Sequence, residues 1–338
     1  MVRITSVTRL ARITGAHAVR DTASRFGVHA TDLGIPWRAR DGGVLVAFGD
    51  TYGAGWGGHG PGPPEADWRF NVLAHGTDAG LDSGLVLDCF VARPDGTAAQ
   101  VIPPWRPSEE HTVIPTSGIS VGGREYLHYM SVRRWGKPGR WRTWHAGLAC
   151  SDDGGRTWSK PRGAVWPNRR GGPVSRPWRR NTHPFQLVAF AGVLDGWVYL
   201  LGTPNGRYGD GRLARAPADA LLEPRAYQYW NGRSFGTEVR AAAAVLGGPV
   251  GELSVRYNSF FGRWLATHLD ERRAEIVLRT APSLIGPWTD GQTLVSAEEY
   301  PALYGGFQHP HGCDRPRIYF TVSHWWSYNV DLFRAELA

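Results

Sequence analysis

Short apolar runs broken by turn residues recur along the whole chain, and no sustained helical periodicity accompanies them. Val44–Phe48 precedes Gly49, and Glu125–Met130 follows Gly122 and Gly123. Trp197–Leu201 follows Asp195-Gly196, Arg263–Thr267 follows Phe261-Gly262, and Arg317–Thr321 follows Cys313-Asp314. Runs this short, rich in β-branched and aromatic residues and bounded by Gly, Asn and Asp, read as strands. Each has a strand-like stretch ahead of it: 29–35, 114–121, 185–190, 252–257 and 304–309. Three have another behind, at 146–150, 276–280 and 330–335. Helix is expected only as single turns, at Pro217–Leu222 and Ala241–Val245.

A repeat of several strands at this spacing suits a β-propeller with four strands per blade. Five repeats imply an all-β, five-bladed β-propeller, with Ile4–Ile13 completing the last blade. No linker or compositional break interrupts the chain, so residues 1–338 are expected to form a single catalytic domain.

Composition narrows the class. The 338 residues are 42% hydrophobic and 20% charged, enough apolar material for a sizeable core and unlike a disordered chain. No apolar run approaches the roughly 18 residues that would span a membrane, so no membrane insertion is expected. Arg3, Arg9, Arg12, Arg20 and Arg25 interrupt every candidate signal-peptide core. Action outside the cell or at the envelope therefore implies a removed leader or another route, a phage-encoded origin being one. The net charge is +8, yet only Lys137 and Lys160 are lysines. The arginines are scattered, with doublets at Arg133-Arg134, Arg169-Arg170 and Arg179-Arg180, whereas a nucleic-acid binder concentrates them on one element. Cys89, Cys150 and Cys313 form neither a metal motif nor a disulfide framework and read as small buried hydrophobes.

In a propeller the innermost strands line a central channel, so their polar residues are the first candidates for chemistry. Hairpin arithmetic singles out two. The turn Arg40-Asp41-Gly42-Gly43 centres a hairpin near residue 41, which puts Asp32 opposite Asp50 on one face. A slip of one residue would separate them. Opposed carboxylates push one pKa upward, and glycoside hydrolysis needs that asymmetry: a protonated acid for the leaving oxygen and an ionised base or nucleophile. Close spacing favours a retaining mechanism and wider spacing an inverting one. Glu252, across the channel, is a third candidate; alternatively it pairs with Arg256 or another arginine. Substrate contacts are expected from Trp37, Tyr52, Thr116, Ser117, His128, Gln186, Gln308 and His309. Trp56, Trp135, Trp141, Trp325 and Trp326 lie near strand ends, where aromatic faces can stack on sugar rings. The Gly/Pro-rich loop 53–67, directly after Asp50, is expected to shape one wall of the cleft. His128, His183, His309 and His311 lack metal-ligand spacing, so neither metal nor cofactor is expected.

Ser151-Asp152-Asp153-Gly154-Gly155-Arg156-Thr157-Trp158 matches the Asp-box hairpin of sialidase-like propellers, here in the second blade, and reads as structural. Arg279–Trp288 resembles a blade ending of five-bladed glycosidases. The pair His29-Ala30-Thr31-Asp32-Leu33-Gly34 and Val46-Ala47-Phe48-Gly49-Asp50-Thr51-Tyr52-Gly53 resembles the opening of an actinobacterial and phage family of endo-D-arabinanases, formerly a family of unknown function. Further matches fall at Ile114–Val121, Tyr126–Val132, Leu201–Arg207, Arg212–Arg215 and Tyr328-Asn329-Val330, so the resemblance spans about residues 15 to 336. It implies a five-bladed glycoside hydrolase cutting internal α-D-arabinofuranosyl linkages of mycobacterial arabinogalactan or lipoarabinomannan, with Asp32 and Asp50 as the catalytic pair. The expected partner is the polysaccharide D-arabinan, not nucleic acid; oligomeric state is left open. Two other readings stand beside it. One is a non-catalytic carbohydrate-binding propeller, lectin-like or phage receptor-binding. The other is a sialidase, which would need an arginine triad and a Tyr nucleophile that the sequence does not offer.

Overall fold

A computed structural model describes residues 2–168 and 183–338; Arg169, Arg170, Arg179 and Arg180 lie outside the described residues. Strands dominate. Among the described residues they form five antiparallel sheets and one three-stranded ribbon. Sheet I contains Ile35–Arg38, Val44–Phe48, Val72–Thr77 and Val86–Phe90. Sheet II contains Thr112–Val121, Arg124–Trp135, Trp141–Ser151 and Val165–Pro167. Sheet III begins with Leu187–Leu194, Trp197–Thr203 and Gly211–Pro217, and adds three short outer strands. Sheet IV contains Ser254–Asn258, Arg263–Asp270, Glu275–Ala281 and Gln292–Ser296. Sheet V contains Leu303–Gln308, Arg317–His324 and Asn329–Leu337, and takes the N-terminal Ile4–Arg12 as its fourth strand. The ribbon pairs Ala30–Thr31, Thr51–Tyr52 and Trp68–Arg69.

The first strand of each sheet packs beside the first strand of the next, from sheet I through sheet V and back to sheet I. Each of these strands is hydrogen-bonded on one side only, which leaves edge N–H and C=O groups to satisfy. Hydroxyls of the adjacent sheet do much of this. Thr116 Oγ1 accepts from Val188 N at 3.3 Å, Ser117 Oγ from Phe190 N at 3.0 Å, and Ser254 Oγ from Gln308 N at 3.0 Å. The Arg256 guanidinium extends the clasp, donating to Gln308 O at 3.0 Å and Pro36 O at 2.8 Å. Apolar side chains fill the space between sheets. Leu45, Leu73, Leu127, Leu278 and Phe320 are fully buried in one such cluster.

The N-terminal strand is further fixed by Asp331, whose buried carboxylate accepts from Arg9 Nε at 3.1 Å and Arg12 Nε at 3.3 Å. The Asp-box folds as a turn. Asp153 accepts from Arg156 N at 3.0 Å, from Thr157 N at 2.9 Å and from Thr157 Oγ1 at 2.6 Å. Desolvation works against the charge, but these donors together hold its carboxyl down at about 2. Stability from this turn is therefore present above the unfolded Asp pKa and is lost as pH falls through the folded value. Asp153→Asn is expected to lower the melting temperature at pH 7, with the deficit shrinking as pH approaches 2.

Three local expectations differ from the structure. Pro217 ends a strand and residues 218–222 turn, and the Ala241–Val245 segment divides between a 3-10 turn ending at Ala241 and a strand from Ala244. The only α-helix among the described residues is Thr22–Phe26, capped by the Asp21 carboxylate and by Gly27 in the left-handed conformation. Cys89 is exposed, not buried.

Candidate active site

The hairpin that opens sheet I continues into the ribbon without changing register. Ile35 faces Ala47, Arg38 faces Val44, Thr31 faces Thr51 and Ala30 faces Tyr52. All these pairs are centred on Asp41, so Asp32 and Asp50 fall opposite each other where the ladder opens between sheet and ribbon. The opening is made by Leu33 and Gly34, at φ 71° and 70°. A non-glycine residue at positive φ is strained, and Leu33 is held there by its N–H donating to Ser323 Oγ at 2.8 Å.

The two carboxylates are gripped from opposite sides. Asp32 Oδ2 accepts from Tyr304 OH at 3.0 Å and Tyr328 OH at 3.2 Å, both from the sheet V region. Its Oδ1 is buried without a partner. Asp50 Oδ1 accepts from Trp68 Nε1 at 2.9 Å in the ribbon and Thr112 Oγ1 at 2.6 Å in sheet II. Burial, then the charge of Asp50, pushes the Asp32 carboxyl up to about 8, against the two tyrosine donors. Burial pushes Asp50 up to about 7, against Thr112 and Trp68. Burial and Asp32 also push the Tyr304 and Tyr328 hydroxyls well above 10, so both remain donors.

A third acid, Glu252, lines the same cavity. Its Oε1 accepts from Arg207 Nε at 2.8 Å, and Arg207 also reaches Glu271 at 3.3 Å. The partner is thus Arg207, not Arg256. Desolvation raises the Glu252 pKa despite that cation, and Oε2 is buried without a partner. Asp32, Asp50 and Glu252 all line one cavity of about 780 Å³. Tyr52, Trp68, Arg207, Tyr304 and Tyr328 line it too, as do Pro61, Gly62 and Pro64 of the 53–67 loop, which forms a wall.

The other sequence-derived candidates divide. Tyr52 and Thr116 face this cavity. Trp37 does not: it wedges between sheets I and II over Gly118 and donates to Glu125 Oε2 at 2.9 Å. It lines a separate 210 Å³ cavity together with Ser117. His128 is buried with Nδ1 2.6 Å from Thr116 Oγ1, and burial lowers its pKa to about 3. Gln186 is held between Thr143 Oγ1 and Trp166 O, and Gln308 donates to Ser254 O and Leu265 O. His309 accepts from His311 N at 3.1 Å. None of these six side chains lines the acid cavity: five tie neighbouring strands together, and His309 caps its own loop. No group of His, Cys, Asp or Glu fit to hold a metal occurs among the described residues.

Gly49 lies against the acid: a Cβ there would come 2.3 Å from Asp32 Oδ1. Gly49→Ala must shift that carboxyl, and a changed Asp32 titration with circular dichroism unchanged is the expected outcome.

The family model for a domain of unknown function, DUF4185, matches residues 17–334. The chain belongs to the DUF4185 family. Notoamide biosynthesis cluster protein J of Aspergillus sp. (strain MF297-2) is 32% identical over 328 residues, covering 91% of this chain and 83% of that protein. Among solved structures, a Bacteroides ovatus protein superposes with a TM-score of 0.63 at 14% identity, covering 93% of this chain and 87% of the other. A family 117 glycoside hydrolase of Zobellia galactanivorans gives 0.52 at 14%, covering 98% and 89%. The GH62 α-L-arabinofuranosidase catalytic domain of Coprinopsis cinerea gives 0.50 at 12%, covering 98% and 95%. At these identities the likeness is one of fold, and the glycoside hydrolases among these neighbours have propeller-type folds.

Sequence reasoning does not single out Tyr304, Trp68, Thr112 or Glu271 for the site. Arg207 and Tyr328 fall inside segments that carry the family resemblance, yet nothing local marks them as partners of the acids.

Proposed function

We propose that this DUF4185 protein is a glycoside hydrolase whose five sheets are the blades of a five-bladed propeller and whose catalytic pair is Asp32 and Asp50. The observation that carries the reading is two opposed, buried carboxylates with raised pKa values on the wall of a large cavity. Asp32, the less acidic, is the proton donor to the leaving glycosidic oxygen. Asp50 is the ionised partner, acting as nucleophile or as base toward water; its donors from Trp68 and Thr112 favour the charged form. Glu252, held by Arg207, supplies the negative charge that an oxocarbenium-like transition state draws on. The substrate we propose is D-arabinan, cut at internal α-D-arabinofuranosyl linkages, which rests on the resemblance of the segments around these two aspartates to endo-D-arabinanases. In that role the protein works outside the cell or at a cell envelope.

Requiring one acid protonated and the other ionised gives a narrow bell in kcat/KM, rising through about 7 and falling through about 8. An unchanged rate from pH 5 to 9 would remove the acid–base assignment. The test of function is incubation with purified D-arabinan, galactan and starch, followed as new reducing ends. Ends from D-arabinan alone support the reading. Cleavage of another glycan keeps the hydrolase and removes arabinan. Binding without new ends points to a lectin-like propeller. A second reading draws on the relative named for notoamide biosynthesis and on the aromatic lining of the cavity: an apolar small molecule could occupy it. Saturable binding of apolar small molecules, with no glycan cleaved, would favour that reading.

A further inference from the structure

Three tryptophans on the cavity wall stay largely open to solvent. Trp135 is 40% exposed, Trp325 43% and Trp326 53%, although the chain buries most of its large side chains. Leaving indoles in water forgoes apolar burial worth about 25 cal/mol per Å², and clustered exposure of this kind marks a binding surface.

Their placement relative to the acids is what matters. Asp32 and Asp50 belong to the hairpin that opens sheet I. The first strand of sheet I packs between those of sheet II and sheet V. Trp135 ends a strand of sheet II, and Trp325 and Trp326 sit in the turn after a sheet V strand. The indoles therefore stand on the two flanks of the acid pair. Each flank is also tied to one acid centre. Trp325 packs edge-on against Tyr304 and Tyr328, at centroid distances of 6.2 Å and 5.8 Å, and these hydroxyls hold Asp32. Trp135 packs edge-on against Trp141 at 5.5 Å, and Trp141 lies 5.8 Å from the Arg207 guanidinium that holds Glu252. Trp326 is fixed by His59 stacked at 6.4 Å and by its carbonyl accepting from Gly60 N at 2.7 Å. Rigid, exposed indoles of this kind present flat faces at little entropic cost.

We infer that Trp135 on one flank and Trp325 with Trp326 on the other are stacking platforms for sugar rings on either side of the scissile bond. The site then takes an internal stretch of a neutral glycan chain, which rests on the hydrolase reading above. A chain bridging both platforms binds better than a short fragment that reaches one.

The test uses Trp135→Ala and Trp326→Ala, with Trp326→Tyr as the conservative variant, on arabinan oligosaccharides of graded length. The wild type favours long chains over the shortest cleaved oligosaccharide in kcat/KM. Each alanine variant should cut that preference about ten-fold, mainly through KM, and tyrosine should restore most of it. Cleavage with the wild-type length preference retained in both alanine variants would overturn the platforms and leave the hydrolase standing. Tryptophan fluorescence quenched by arabinan, weakened in the alanine variants but without cleavage, would keep the platforms and remove the hydrolase. Neither cleavage nor quenching would overturn the platforms together with the arabinan reading.

Discussion

Asp50→Asn and Asp32→Asn are each expected to lower kcat on the cleaved glycan about a thousand-fold, within the 10²–10⁴-fold range of lost acid–base catalysis. The two should differ in stability. An unfolded Asp ionises near 4, whereas folded Asp32 keeps its proton to about 8. Folding takes up a proton across that window, so this residue makes the fold less stable as pH rises from about 4 to about 8. The carboxamide resembles the protonated acid and removes the penalty. Asp32→Asn should therefore melt higher than the wild type at pH 7 and nearly the same at pH 4. Asp50→Asn should gain less, because the lower folded value leaves a narrower window. A variant that is inactive and also less stable at pH 7 would mean that Asp32 is ionised in the fold.

The second large effect lies behind the site. Arg69 is fully buried, and its guanidinium donates to Ala98 O at 3.0 Å and Gly27 O at 2.7 Å while facing Asp67. Burial lowers its pKa to about 10, which leaves it charged at neutral pH. It sits next to Trp68 on the ribbon that carries the donor to Asp50. Arg69→Ala strips partners from two carbonyls, at about 1–3 kcal/mol each. The expected loss is about 3 kcal/mol or more in urea unfolding. Lysine cannot reproduce the fork, so Arg69→Lys should recover only part of it. A loss under 1 kcal/mol for Arg69→Ala would show that the ribbon is not held this way.

The opposed aspartates are readable from sequence because hairpin register needs only a turn centre and a period of two. The turn at Asp41 supplies the first, and the chain keeps the second through the Leu33-Gly34 opening. The shell around them is another matter. Tyr304 and Tyr328 reach Asp32 across 272 and 296 residues, and Thr112 reaches Asp50 across 62. Only inter-sheet packing brings them together, and no local pattern encodes it. The same physics explains His128, Gln186 and Gln308. A polar residue near a sheet's first strand can face the cavity or satisfy a neighbouring sheet, and both look alike in one dimension. Val72–Thr77 and Gly211–Pro217 escape notice as strands because Ala, Gly, His and Arg dilute their pattern. The Thr22–Phe26 helix is too short for periodicity and is marked only by its caps.

The most direct measurement is the chain length of purified D-arabinan mixed with the wild-type protein at pH 7.5, followed by size exclusion and reducing-end release, with Asp32→Asn and Asp50→Asn alongside. The account predicts an early collapse in polymer size with few new ends from the wild type, and almost none from either variant. Intact polymer after prolonged incubation with folded wild-type protein, or full cleavage by Asp50→Asn, would contradict it.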